Sequence, residues 1–400
     1  MKVFLISETA NMKTFNNELI SKLSAMPTPY YFYNMEVLKA NLASIKKEAD
    51  KYNYHIHYAL KANSNLKILK TVKESGLGAD CVSGQEVLTA IENGFAPHNI
   101  MFAGVGKSDS EIITGLEHGI ACFNCESLQE IEVINELAFK RNKTAFIALR
   151  INPNVSAKTH HYITTGLEEN KFGINEWELD SVIDKLRTLN NIKLIGLHFH
   201  IGSQITDLSV FGNLCNRVNN FQRYFKQKGI QIQHLNVGGG LGVDYHHPDE
   251  QAITNFEAYF EIFKRFLEHD PNQSVHFEIG RALVAQCGSL ISKVLYIKNG
   301  IKTNFAILDA GMTELIRPAL YQSYHKIENL TKMDCAKSVK YDVVGPICES
   351  SDCFGKAVDL PETLRGDLFA IRTAGAYGEV MSSTYNLRQR FPAVYSDELI

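Results

Sequence analysis

From Tyr54 onward the hydrophobic positions switch repeatedly between two periods. Short runs rich in β-branched, aromatic and small apolar residues predict strands at Tyr54–Leu60, Gly78–Val82, Asn99–Ala103, Ala121–Asn124, Thr144–Ile151, Leu194–His198, His234–Val237 and Val275–Glu278. Between them lie stretches with helical period, among them Leu66–Ser75, Gly84–Asn93, Ser127–Arg141, Glu176–Leu189, Leu208–Lys228 and Ala252–Glu268, several opened by a Ser, Asp or Asn cap. Eight strand–helix alternations over about 250 residues predict a TIM-like (β/α)8 barrel. Beyond Ala282 the helical period fades into extended runs at Leu290–Ile297, Phe305–Leu308, Lys340–Val344 and Leu368–Thr373, which read as a β-sandwich or β-barrel-like domain. The stretch before Pro27 has no place in the eightfold alternation and is assigned to that second domain. The expected division is thus residues 27–281 for the barrel, with 1–26 and 282–400 for the β domain.

Composition narrows the function classes. The 400 residues are 45% hydrophobic and 21% charged, an ordinary core-forming chain rather than a disordered one. With 41 basic against 44 acidic side chains and a net charge of −3, no bulk positive field points to nucleic acid or an anionic membrane. A small neutral or zwitterionic partner fits better. No apolar run reaches the roughly 20 residues of a membrane span, and Val3–Ile6 gives way at once to Ser7, Glu8 and Thr9. No signal peptide and no membrane are expected, and a cytoplasmic location follows. The 8 cysteines are scattered and expected to be free thiols.

The chemistry should lie just after the strands, because barrel active sites form at the carboxyl ends. Those positions hold Lys61, then Asp80 and Ser83, then His198 and His200, then Gly238, Gly239 and Gly240, and finally Glu278 and Arg281. Lys61 after an apolar strand would be partly desolvated, as an imine-forming amine needs, although a lone strand-end lysine is usually solvated. His198 and His200 alternate in strand fashion and point to one side. No HExxH or third ligand accompanies them, so no metal is expected, and an imidazole can instead lie against an aromatic ring. The three glycines expose backbone N–H groups that can cradle a phosphate, where the plain alternative is a tight loop. Glu278 could simply pair with Arg281, but opposite a pyridine nitrogen it would keep that nitrogen protonated. The P-loop lookalike Gly106-Lys107-Ser108 fails because Met101 stands where its first glycine should be, and Cys122-x-x-Cys125 lacks a second pair. Amine, phosphate cradle, stacking imidazole and ring-nitrogen acid together specify pyridoxal 5'-phosphate.

Further segments carry a resemblance: Tyr58–Asn63, Gly166-Leu167 with Asn170–Gly173, His198–Gln204, Gly238–Gly240, Glu278–Arg281, Asp309–Met312 with Arg317–Tyr321, Cys348–Asp352 and Gly375–Gly378. From Tyr31-Phe32-Tyr33 to Arg388, the chain resembles the fold-type III pyridoxal-phosphate decarboxylases, and among them the diaminopimelate decarboxylases of lysine biosynthesis. The resemblance implies that Lys61 carries the cofactor covalently, that His200 stacks on its ring and that Glu278 pairs with the ring nitrogen. Ser203, Gly240 and the backbone of Gly280 and Arg281 would hold the phosphate, completed by Tyr377. Arg281, Arg317 and Tyr321 would bind the distal carboxylate of the substrate, and Glu349 its distal ammonium. Cys348 would return the proton that replaces CO2. It also implies a homodimer in which the Cys348–Glu349 segment reaches the neighbouring subunit's site. The implied reaction is decarboxylation of meso-2,6-diaminopimelate to L-lysine. An ornithine, arginine or carboxynorspermidine decarboxylase has less use for Arg317 and Glu349 together, and a non-catalytic homologue has less use for Lys61 and Cys348. Two positions depart from the family pattern, Ile279 and His161, where proline is usual or common; neither removes a functional group.

Overall fold

The computed structural model describes residues 14–155, 171–333 and 337–399. Two compact units divide the chain: one draws on the segments Met1–Asn41, Val243–Thr254 and Val284–Ile400, the other on Leu42–Gly242 and Asn255–Leu283. After a helix at Asn17–Ser24 the first strand is β1 (Tyr30–Tyr33), and a helix at Met35–Asp50 leads on toward the second unit.

That second unit is the barrel. Its strands are β2 (Tyr54–Ala59), β3 (Gly78–Cys81), β4 (Ile100–Phe102), β5 (Cys122–Cys125), β6 (Ala145–Arg150), β7 (Ile192–His198), β8 (His234–Asn236) and β9 (Ser274–Ile279), closed in that order. All pairs are parallel, and β2 closes on β9 with His57 opposite Glu278. Each expected strand is present, shifted by at most a few residues. Helices begin where a polar side chain caps free N–H groups. Ser83 accepts from Glu86 N, Ser127 from Glu130 N and Asn255 from Ala258 N. Ser83, a strand-end candidate for chemistry, is therefore a helix cap.

Alternation along β9 sorts the barrel's two faces. Phe277 points outward, with ring centroids 4.8 Å from Phe263 and 5.0 Å from both Phe260 and Tyr54, so the helix Phe256–Phe266 is fastened to the wall by aromatic burial. His276 and Glu278 carry the polar bonds of the interior: Glu278 reaches β5, β7 and β8, and His276 bonds His57 on β2. This interior is more polar than the branched aliphatic filling usual for such barrels.

The other unit is a mostly antiparallel sheet built on β10 (Gly288–Asn299), with β11 (Asn304–Leu308), β12 (Ile327–Asn329), β13 (Ser338–Val344), β14 (Cys353–Pro361), β15 (Leu368–Ile371) and β16 (Val394–Tyr395). The order is β12-β15-β10-β11-β13-β14, with β1 added on β10 and β16 on β1. Its core gathers Phe15, Leu23, Tyr30, Phe32, Ile291, Leu330, Leu368 and Ala370. The sheet claims the chain beyond residue 26, because Tyr30–Tyr33 pairs with Gly288–Ile291. It also claims an excursion at Val243–Thr254, where Asp249 binds the buried Arg372 at 2.6 Å and Asp244 O accepts from Gln286 Nε2 at 2.8 Å. Among the described residues no helix is long and apolar enough to cross a membrane.

Candidate active site

Within the barrel, seven expected site residues stand at or after the carboxyl ends of strands. Lys61 lies in the turn Leu60–Ala62 after β2 and its ammonium donates to the Asp80 carboxylate of β3. The apolar strand predicted a partly desolvated amine; the structure supplies a fully buried acid as its partner. Burial and the neighbouring Glu278 push the Asp80 carboxyl up, against the pull of Lys61. For Glu278, burial acts upward too, but His198, Lys61 and His200 outweigh it and hold the carboxyl well below the usual range. Of the two buried acids, Glu278 is the one fixed as a carboxylate.

His200 follows β7, and its Nδ1 accepts from the Gly239 N–H at 3.4 Å. Desolvation, with Arg150 and Lys61 nearby, lowers its pKa to about 3, so the ring is neutral near pH 7. The glycine loop after β8 is required sterically. A Cβ at Gly239 would fall 1.8 Å from Glu278 O, and one at Gly240, where φ is +101°, would fall 2.4 Å from Gly202 O. Gly280 is similarly enclosed by Ala62 and Ala59, at 2.9 and 3.1 Å from an added Cβ. Arg281 donates to Ser203 Oγ at 3.0 Å. The suspected Glu278–Arg281 pair is thus divided, since Glu278 turns to His198 at 3.0 Å while Arg281 meets the serine.

The β unit holds the remaining candidates. Arg317 is buried at the start of the helix Arg317–Tyr321, with Nε donating to His325 Nε2 and Nη2 to Ser323 Oγ, each at 3.3 Å, and its guanidinium 5.6 Å from the Tyr245 ring centroid. Tyr321 is half-buried in the same helix. Cys348 and Glu349 are exposed on a loop that the buried Asp352 organises: its carboxylate accepts from Met312 N at 2.6 Å and from Ile347 N at 2.7 Å. Gly311 and Gly345 leave room for that carboxylate, which a Cβ on either would meet within 3 Å. Tyr377 has φ +55°, a left-handed backbone uncommon for a tyrosine. His161, Gly166, Leu167 and Asn170 lie outside the described residues.

The family model for the pyridoxal-dependent decarboxylases, pyridoxal binding domain, matches residues 36–285, more than half of the chain. A diaminopimelate decarboxylase of Bacteroides thetaiotaomicron is 57% identical over 95% of this chain and 98% of its own length. The chain belongs to the diaminopimelate decarboxylase family. A diaminopimelate decarboxylase of Vibrio cholerae is 42% identical over 92% of this chain and 88% of its own. The crystal structure of diaminopimelate decarboxylase from Helicobacter pylori complexed with L-lysine superposes with a TM-score of 0.88, at 37% identity, covering 95% of this chain and 94% of that one. The cofactor of this family member is pyridoxal 5'-phosphate, and the barrel residues fit it: a strand-end amine, an ionised buried acid and a glycine cradle that any Cβ would fill.

Several polar residues at the site escaped the reading by strand ends. Asn124 ends the fourth expected strand and Arg150 lies in the fifth; Arg150 pairs with Glu126 at 2.6 Å beneath the Phe172 ring. The signal was available, since a polar side chain at the end of a buried strand faces the barrel mouth. His325, behind Arg317, had no such signal.

Proposed function

We propose that the chain decarboxylates meso-2,6-diaminopimelate to L-lysine and CO2. The observation that carries this is the convergence, at the mouth of one closed barrel, of the Lys61 amine, the ionised Glu278 and the glycine loop of residues 238–240. Pyridoxal 5'-phosphate, when bound, supplies an electron sink for the carbon that loses CO2. Lys61 is the amine that anchors it, with Asp80 Oδ2 holding the Nζ proton. Glu278 accepts from the ring nitrogen, and the neutral His200 presents a flat, uncharged face. Ser203, Gly240, the backbone of Gly280 and Arg281, and Tyr377 hold the phosphate.

Substrate selection then falls to groups that bind the end not being changed. Arg281, Arg317 and Tyr321 take the distal carboxylate and Glu349 the distal ammonium, so only the opposite carboxylate is presented for loss, which is remote binding used for orientation. A substrate lacking the distal carboxylate forgoes charge-assisted hydrogen bonds to these arginines, a loss of about 1.5–3 kcal/mol each. Cys348 gives a proton from its thiol to the carbon. This reading takes the working form to be a homodimer in which the exposed loop of Cys348 and Glu349 serves the neighbour's site.

The test is CO2 release from purified protein offered meso-2,6-diaminopimelate, ornithine, arginine and carboxynorspermidine, with and without added cofactor. Diaminopimelate should be strongly preferred, with dependence on pyridoxal phosphate. Faster release from ornithine or arginine would overturn the substrate assignment.

A further inference from the structure

Glu278 makes three hydrogen bonds, each to a different strand. Oε1 accepts from Asn124 Nδ2 at 3.1 Å and from Asn236 Nδ2 at 2.7 Å, and Oε2 meets His198 Nε2 at 3.0 Å. A carboxylate has about four lone-pair directions, two on each oxygen. The two amides fill Oε1 and the histidine takes one direction of Oε2. One acceptor direction is left, and it lies on Oε2.

Asn236 does more than donate. Its Oδ1 accepts from the Gly238 N–H at 2.9 Å, the first amide of the glycine loop. This fixes the amide's orientation, because a flipped side chain would set oxygen against carboxylate at one end and NH2 against N–H at the other. Gly238 also has to be glycine: φ is +70° and a Cβ there would lie 2.2 Å from Phe199 O. A single side chain at the end of β8 therefore bridges the acid and the loop.

We infer that Asn236 is a positioning residue: its amide ties the Glu278 carboxylate to the glycine loop and, with Asn124, leaves one Oε2 lobe to receive the N–H of a pyridine ring. The inference rests on the proposed reading in which Glu278 faces the ring nitrogen, and it names the residue that aims that acid. It connects the two ends of the cofactor site, since the side chain that fills Oε1 also fixes the start of the loop that would hold the phosphate.

An isosteric carboxylate separates this role from mere packing. In Asn236→Asp two carboxyl groups would face each other at the present 2.7 Å contact and share one proton. While that proton is held, the acid still donates to Glu278 and accepts from Gly238. Once it is lost, two like charges oppose each other. The variant should therefore acquire an ionisation that the parent lacks. The other groups acting on Glu278 are His198, Lys61 and His200, with Asp80 linked to it, and all are retained in the variant, so the parent's titration is the baseline.

The experiment uses the full chain loaded with pyridoxal 5'-phosphate. Folding is checked by circular dichroism, cofactor affinity by equilibrium dialysis, and the absorbance of the bound cofactor is followed from mildly acidic to mildly alkaline pH. Asn236→Ala should weaken cofactor binding by about tenfold to a hundredfold, the usual cost of losing a hydrogen bond to a charged group. Asn236→Asp should resemble the parent at the acidic end and lose affinity as pH rises, with a one-proton transition in the absorbance. If Asn236→Ala does not fold, Asn236→Asp carries the test. Parent-like affinity and an unchanged titration in Asn236→Asp would overturn the inference while leaving the proposed activity standing. A parent protein that binds no pyridoxal phosphate would remove both.

Discussion

The two buried histidines beneath the site give the barrel a defined sensitivity to acid. Ser274 Oγ lies 2.8 Å from His276 Nε2, His276 Nδ1 lies 2.9 Å from His57 Nε2, and His57 Nδ1 lies 3.2 Å from Asn99 O. Because the carbonyl only accepts, a neutral His57 donates from Nδ1 and accepts at Nε2 from His276 Nδ1. This arrangement suits two neutral rings. Protonating His57 would place a second N–H toward His276 and force that ring into its other tautomer. Burial, with His55 and His234 nearby and against the pull of Glu278, lowers the His57 pKa from 6.5 to about 4, and His276 is lowered as well.

The sign follows from proton uptake. Between about pH 6.5 and pH 4 the unfolded chain binds a proton at residue 57 that the folded chain refuses, so stability is complete above that window and is lost as pH falls through it. From pH 7 to pH 5, His57 alone accounts for a loss of about 2 kcal/mol. A non-titrating residue of similar length, His57→Gln, removes this contribution. Thermal melts followed by circular dichroism at both pH values should show the parent losing roughly 4–8 °C more than the variant, using the usual scaling for domains of this size. Equal losses in parent and variant would refute the reasoning.

Three further outcomes are expected. Cys348→Ala should lower kcat by orders of magnitude while leaving KM for diaminopimelate nearly unchanged; steady-state kinetics with a parent-like kcat would remove the thiol from proton return. Arg317→Ala should raise KM for diaminopimelate by about a hundredfold, the cost of losing a buried charge-assisted contact, and should narrow its preference over ornithine. Asp352→Asn sets a donor against one of the two N–H groups its carboxylate now receives. It should lower the melting temperature and reduce kcat together, by loosening the loop that carries Cys348 and Glu349.

The barrel was legible because each of its strands is short, apolar and followed by polar caps, a local pattern that depends on no distant partner. The strand-end placement of the candidates was legible for the same reason, since Lys61, His200, the glycines and Glu278 each follow a readable run. Features that depend on closure were hidden. Asn124, Asn236 and His198 come from three strands and meet only because the sheet curls until Glu278 lies among them. Tyr30–Tyr33 is buried on every residue and shows no alternation to assign it to a sheet, and its partner Gly288–Ile291 lies far along the chain. The stretch Val243–Thr254 falls within the residues assigned to the barrel, yet Asp249 is held by Arg372, more than a hundred residues away. Strand β14 was missed because Lys356 and Asp359 interrupt its apolar pattern on an exposed face.

The most direct test of the central claim is chemical trapping. Protein loaded with pyridoxal 5'-phosphate is reduced with borohydride, digested and mapped by mass spectrometry. A single pyridoxyl group on Lys61 is the expected result, absent from Lys61→Ala. Label spread over surface lysines, or none on Lys61, would contradict the account.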